Sequence, residues 1–397
     1  MINPADIPEL KTADRLQRLR VGLADQDVDA AVFSDTENVR WLTGFTGSQG
    51  VLVIGLTEAN SDALLITDGR YTQQASAELQ ASGCSEQVEV VIDRSASKVT
   101  AEKFGTLRRL GLEVSVSWAF QRAWDEKFEA EIIPLVETVE HLRTVKDDAE
   151  LARIEVAAAI ADHALSEIKP RLRPGENELS IQFALDVAMR NSGAAGPAFE
   201  TIVASGPNSA LPHARPSNRR LQAGDLVVID IGAEYAGYRS DMTRTFLVSS
   251  EDANLIPPSS SVDLDADSYA DVNAIEPADL IELVTRSQAA GIAAVRPGVE
   301  AAEVDRACRS VIEDADLGEY FVHATGHGVG LDIHEIPGIA TTSKAVLQPG
   351  NVITIEPGVY IPGVGGVRVE DLLVVTQDGY RIITRYPKYT GKQNQVN

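Results

Sequence analysis

Cysteine is almost missing from this chain: two residues in 397, Cys84 and Cys308, far apart. That excludes a disulfide framework and a thiolate metal site, and it fits a reducing compartment. Basic residues are also scarce. Lys and Arg number 35 against 59 Asp and Glu, a formal net charge of −24 at pH 7. The basic footprint of a nucleic-acid-binding protein is therefore absent. No apolar run approaches the ~20 residues that a membrane-spanning helix needs. The opening residues, MINPADIPELKTADRL, lack the basic, apolar and small-residue order of a secretory signal, so the expected location is cytoplasmic. No similarity recurs at a period of ~20–50 residues, which excludes a solenoid, while a duplication of larger halves stays open.

What is there suffices for two domains, since 397 residues exceed one ordinary core. Residues 12–26 predict an amphipathic helix, with Leu16, Leu19 and Leu23 at helical spacing. Strands are expected at 29–35, 51–56, 63–67 and around EVSVS, with helices at 71–81 and 98–110. Residues 1–143 thus read as an α/β domain, a mixed sheet with helices packed on it. It carries no phosphate-binding glycine loop.

From Thr144 the pattern changes. In DDAELARIEVAAAIADHALSEI, Leu151, Ile154, Ala158, Ala161, Leu165 and Ile168 fall on one helical stripe, ended by Pro170 and Pro174. ELSIQFALDVAMRNSG predicts a second helix closed by Gly193. Strand-like runs follow (ETIVAS, DLVVIDIG, MTRTFLV, NVITIEPGVYI, VRVEDLLVVT), interrupted by helices at 279–295 and 300–315. Residues 144–397 therefore form an α+β domain. The acidic segment 249–279, free of Lys and Arg, reads as a surface loop. Its DLDADS lacks the glycine and glutamate of a calcium loop.

The stretch LVVIDIGAEYAGYRSDMTRTF sets Asp230 inside an apolar strand and returns Asp241 eleven residues later. A hairpin turning at Tyr235 and Ala236 would oppose the two, with Cβ atoms ~4.5–5.5 Å apart. Two buried carboxylates that close need a proton, an arginine or a cation. Arg239 and Arg244 are near in sequence, but neither is an obvious shared partner in a regular ladder. One solvated and one structural aspartate would account for this hairpin alone. NVITIEPGVYIPGVGGVRVEDLL repeats the device: folded about Gly363, it opposes Glu356 and Glu370. A third element, HATGHGVGLDIHE, holds His323, His327 and His334 among glycines that permit close backbone approach. Two Asp, two Glu and a His make a two-metal site plausible, with ions ~3.5–4 Å apart that acidify a shared water. Oxygen-rich ligation favours Mn²⁺, with Co²⁺, Fe²⁺ or Zn²⁺ as alternatives.

In order and spacing, VIDIGAEYAGYRSDMTRTF, GHGVGLDIHE, TIEPGVY and GGVRVEDLL resemble the aminopeptidase P and prolidase family of metallopeptidases. The resemblance covers most of 144–397 and implies the pita-bread fold there, behind a creatinase-type N-terminal domain. By position it implies Asp230, Asp241, His327, Glu356 and Glu370 as metal ligands, with Asp241 and Glu370 bridging and Glu356 as general base. His213 and His334 match histidines that contact substrate and stabilise the tetrahedral intermediate, and His323 matches one lining the pocket. Arg368 matches an arginine that holds either the substrate carboxylate or neighbouring acids. The implied reaction is hydrolysis of an Xaa-Pro bond, in dipeptides or at peptide N-termini, by a homodimer. SALPHARPSNRRL and YFVHATGHGVGLDIHE look most like prolidase-type members, which favours the dipeptide. A metal-free creatinase-like enzyme and a non-catalytic binding protein are the competing readings, and retention of all five ligands argues against both. The 249–279 segment is longer than the usual connection at that point.

Overall fold

The computed structural model describes residues 7–57, 61–248, 272 and 275–388. Most of the acidic 249–279 segment lies outside the described residues. The chain divides into two compact units, Pro8–Arg143 and Thr144–Asn397, the latter joined by Met1–Ile7.

The first unit is built on a six-stranded mixed sheet. Its spatial order is Glu89–Ile92, Ala63–Thr67, Val51–Gly55, Ala30–Phe33, Arg109–Glu113, Glu131–Leu135. The central strands are buried throughout because helices cover the sheet, with Leu16, Leu19 and Leu23 of the Ala13–Leu23 helix fully inside. Two expectations shift here. The helix expected over 98–110 spans Ala96–Phe104, because Gly105 takes a positive φ of 66°. The strand expected at EVSVS is instead Arg109–Glu113, where Leu110 and Leu112 enter the core, while Val114 is exposed. Short helices at Thr36–Thr43, Trp118–Asp125 and Thr138–Arg143, and the strands Glu89–Ile92 and Glu131–Leu135, are additional to those expected.

In the second unit, helix Asp148–Ile168 starts on a capping box. Asp147 accepts from the Glu150 N–H, and Glu150 accepts from the Asp147 N–H. Five of its six predicted stripe residues are buried, Leu151 being half-buried. With helix Glu178–Asn191 it covers one core, which contains the strands Ile202–Ser205 and Leu226–Ile231. Helices Pro277–Ala294 and Ala301–Glu313 contribute to a second core with strands Val352–Ile355 and Asp371–Val375. The architecture is thus α+β, with helices outside and antiparallel hairpins inside.

Those hairpins set the register of the acids. Strand Met242–Leu247 pairs with Leu226–Ile231 so that Thr243, not Asp241, lies opposite Asp230. The direct Asp230–Asp241 pairing expected from sequence is therefore wrong by two residues. The tight turn is Ala236–Gly237, at φ 48° and 83°, one position later than expected. Because the slip is two residues, Asp241 still points to the same face as Asp230. The second hairpin turns about Gly363, at φ 83°. Ile355 opposes Asp371 and Gly358 opposes Arg368, which puts Glu356 level with Glu370 as expected.

Among the described residues, no helix is long and apolar enough to cross a membrane.

Candidate metal centre and substrate cleft

The two hairpins are joined at their acidic faces. The Glu370 N–H donates to the Thr243 carbonyl at 3.1 Å, and the Thr243 hydroxyl donates to Glu370 Oε2 at 2.8 Å. A cleft of ≈ 640 Å³ opens above this junction. Asp230, Asp241, His327 and Glu356 line it, as do His213, His323, His334 and Arg368. Glu370 lies beneath, 1% exposed.

His327 arrives on the short strand Gly326–Gly328, whose glycines are sterically required. A Cβ on Gly326 would sit 2.0 Å from the Thr354 carbonyl oxygen, and one on Gly328 would sit 2.5 Å from that of Ile336. The ring's Nδ1 meets the Gly328 carbonyl at 2.9 Å, so that nitrogen carries the proton. Nε2 then faces Glu356 Oε1 at 3.3 Å and Asp241 Oδ2 at 3.6 Å. The His334 ring stands edge-on to it, 4.3 Å between centroids. The loop bearing His334 is anchored by Glu335, which accepts from Lys146 Nζ at 2.8 Å and from the Asp332 N–H at 3.1 Å.

The electrostatics call for positive charge. Burial, then Glu370, then Asp230 hold the Asp241 carboxyl well above the usual range. Burial followed by the Glu356 and Asp230 charges does the same to Glu370. Burial also opposes charge on Glu356, but His327 and Arg368 outweigh it and bring that carboxyl down. The His327 imidazole is raised: burial acts against it, and its hydrogen bond to Glu356 wins. His323 and His334 are both lowered by burial.

Among the described residues, three buried carboxylate oxygens have no hydrogen-bond partner: Asp230 Oδ1, Asp241 Oδ1 and Glu370 Oε1. Unpaired buried acceptors are costly, and a cation is the partner that answers several at once. One ligand atom each from Asp241, His327 and Glu370 falls within 4.8 Å of the others. Carboxylate and imidazole donors bind divalent metals at ~2.0–2.2 Å, so this spacing fits an ion between them.

Arg368 is fully engaged with protein. It donates to Asp230 Oδ2 at 2.6 Å, the Tyr360 hydroxyl at 2.7 Å, the Pro212 carbonyl at 3.1 Å and the Thr243 hydroxyl at 3.1 Å. Tyr360 was not singled out from sequence. Its hydroxyl meets His323 Nε2 at 2.9 Å, and burial pushes its pKa up to about 12. Thr243, which links Arg368 to Glu370, was also missed. The signal for it was its register opposite Asp230, hidden until the turn was placed.

A cleft floored by acids, one imidazole and orphaned oxygens, on this α+β unit, defines the class as a metal-dependent hydrolase. Residues 152–377 match the model of metallopeptidase family M24, and residues 15–145 match that of the Creatinase/Prolidase N-terminal domain. The chain belongs to metallopeptidase family M24, with a creatinase-type N-terminal domain followed in sequence by the pita-bread catalytic fold. An uncharacterized peptidase of Bacillus subtilis, YqhT, is 38% identical over 94% of this chain and 98% of its own length. The solved Xaa-Pro dipeptidase from Bacillus anthracis superposes with a TM-score of 0.84 at 35% identity, covering 96% of this chain and 99% of that one. The X-Pro aminopeptidase from Thermotoga maritima gives 0.77 at 31%, covering 94% and 98%.

Proposed function

We propose that this metallopeptidase hydrolyses the bond between a residue and the proline that follows it, with dipeptides as the preferred substrates. The observation that carries the reading is the convergence of Asp230, Asp241, His327 and Glu356 at one cleft, with Glu370 beneath and three acid oxygens unpartnered. These five residues would hold two divalent ions, Mn²⁺ being favoured by the oxygen-rich set. Such ions polarise the scissile carbonyl and acidify a water.

The chain's own groups do the rest. Glu356, its Oε1 bonded by the Thr354 hydroxyl at 3.1 Å, takes the proton of the attacking water. His213 and His334, on the cleft wall, donate to the carbonyl oxygen as it gains charge. His323, fixed by Tyr360 and by the Ala324 carbonyl at 2.7 Å, shapes the pocket. Arg368 holds Asp230 in place. An Xaa-Pro bond has no N–H, so an enzyme that grips its substrate as a strand loses a donor there, and a site built on cations does not need one. The likeness to a solved Xaa-Pro dipeptidase and a solved X-Pro aminopeptidase supports the proline preference. A homodimer and cytoplasmic residence belong to the same reading.

Assays of Xaa-Pro, Xaa-Pro-Xaa and Xaa-Ala peptides with Mn²⁺ or Co²⁺ test this. The expected result is cleavage confined to the proline peptides and faster for the dipeptide. Asp241→Asn is expected to reduce turnover to background and lower the bound metal measured by elemental analysis, with an unchanged circular dichroism spectrum. Cleavage of Xaa-Ala at equal rate would refute the proline reading.

A further inference from the structure

A dipeptidase must recognise the free carboxylate on its substrate's proline. With the scissile bond set over Asp230, Asp241 and Glu356 on the cleft floor, the carboxylate on the leaving proline lies away from those residues, toward the cleft wall. A cation is required there. Two arginines line the cleft, Arg215 and Arg368. Arg368 is 3% exposed and makes four hydrogen bonds to protein, out of the five donors a guanidinium has. Its charge is matched by Asp230 at 2.6 Å. It cannot take up a bidentate carboxylate without releasing one of these partners.

Arg215 is the opposite case. Its side chain is 83% exposed, and its ion pair is with Glu200 at 3.4 Å, itself 57% exposed. An exposed pair of this kind contributes little and exchanges readily. Arg215 lies two residues beyond His213, on the same loop, and Glu200 lines the same cleft. The guanidinium fork matches a carboxylate in bidentate geometry. We propose that Arg215 reads the terminal carboxylate of the dipeptide, trading Glu200 for the substrate, and so sets the preference for dipeptides over longer chains. This rests on the peptidase reading above and assigns its specificity.

The test compares an Xaa-Pro dipeptide with its Xaa-Pro-amide, which differs only in the terminal charge. Arg215→Met is expected to lower the acid-to-amide ratio of kcat/KM by roughly tenfold, the loss of one charge-assisted contact, expressed mainly in KM. Damage to folding cancels in that ratio, since both substrates use the same enzyme. Glu200→Gln, which removes the competing carboxylate, is expected to move the ratio the other way. A wild type that cleaves both substrates while Arg215→Met keeps the wild-type ratio overturns the Arg215 assignment alone. A wild type that cleaves neither overturns the peptidase reading and the assignment with it.

Discussion

Glu370 and Asp371 are adjacent acids with opposite surroundings. At the step between strands Gly365–Arg368 and Asp371–Val375, Glu370 turns to the cleft floor, with an oxygen left unpartnered, and Asp371 into the core behind it. There Asp371 meets Arg244 at 2.8 Å, Lys388 at 2.5 Å and the Thr384 hydroxyl at 2.9 Å. Burial opposes its charge, but Arg244 and Lys388 hold its carboxyl below the usual range. It therefore contributes stability above an unfolded carboxylate's pKa, near 3.8, and that contribution is lost as pH falls through its lower folded value. Asp371→Asn leaves Arg244 without its anion in a site 3% exposed, and the expected cost is about 3–5 kcal/mol in urea unfolding at pH 7, shrinking toward pH 3. A variant as stable as wild type at pH 7 would refute this. At this scale the sequence was partly legible. The acids and histidines stood out because apolar strands make buried charge conspicuous. Tyr360 and Thr243 did not, because a hydroxyl in a strand is ordinary until its partner is placed. The Asp230–Asp241 pairing failed for a similar reason: one step in the turn moves the register by two.

Single helices and loops show where the substrate wall gets its rigidity. Glu178 opens helix Glu178–Asn191 and is 0% exposed. Its Oε1 accepts from the N–H and hydroxyl of Ser205 at 2.7 and 2.6 Å, and its Oε2 from those of Ser217 at 2.9 and 2.6 Å. Asn208 donates to both oxygens. One carboxylate thus pins both ends of the loop that carries His213. Gln at 178 would turn one acceptor into a donor facing donors, a mismatch of about 1–3 kcal/mol. Glu178→Gln is expected to lower kcat/KM by roughly tenfold while metal content stays at the wild-type value. Lost metal instead would show that the damage spreads beyond the loop. Nothing in the sequence marked this clasp, since its parts are spread from 178 to 217 with no period. Long helices such as Asp148–Ile168 were legible because six or more stripe positions repeat. Eight-residue helices such as Thr36–Thr43 offer two turns, too few for a periodicity to emerge.

At the scale of the molecule, a chain with a net charge of −24 buries, among its described residues, three acid oxygens without hydrogen-bond partners. With cations bound there, as proposed above, metal and stability are linked. Anything that binds the folded state alone stabilises it by RT ln(1 + [L]/Kd), about 2.7 kcal/mol at a hundredfold excess over Kd. The α/β-then-α+β organisation was legible because hydrophobic period changes near Thr144, and the candidate centre stood out because its acids and histidines fall in apolar or glycine-rich runs. What sequence could not supply was how two hairpins, more than a hundred residues apart, share one acidic face. That sharing makes a specific forecast. Chelation of the purified enzyme is expected to abolish activity and lower its melting temperature, and Mn²⁺ to restore both. Asp241→Asn, which removes one orphaned acid, is expected to show a much smaller melting shift on chelation than wild type. An equal shift in the two proteins would mean that the stabilising ion sits elsewhere, and the centre built on Asp230, Asp241, His327, Glu356 and Glu370 would have to be abandoned.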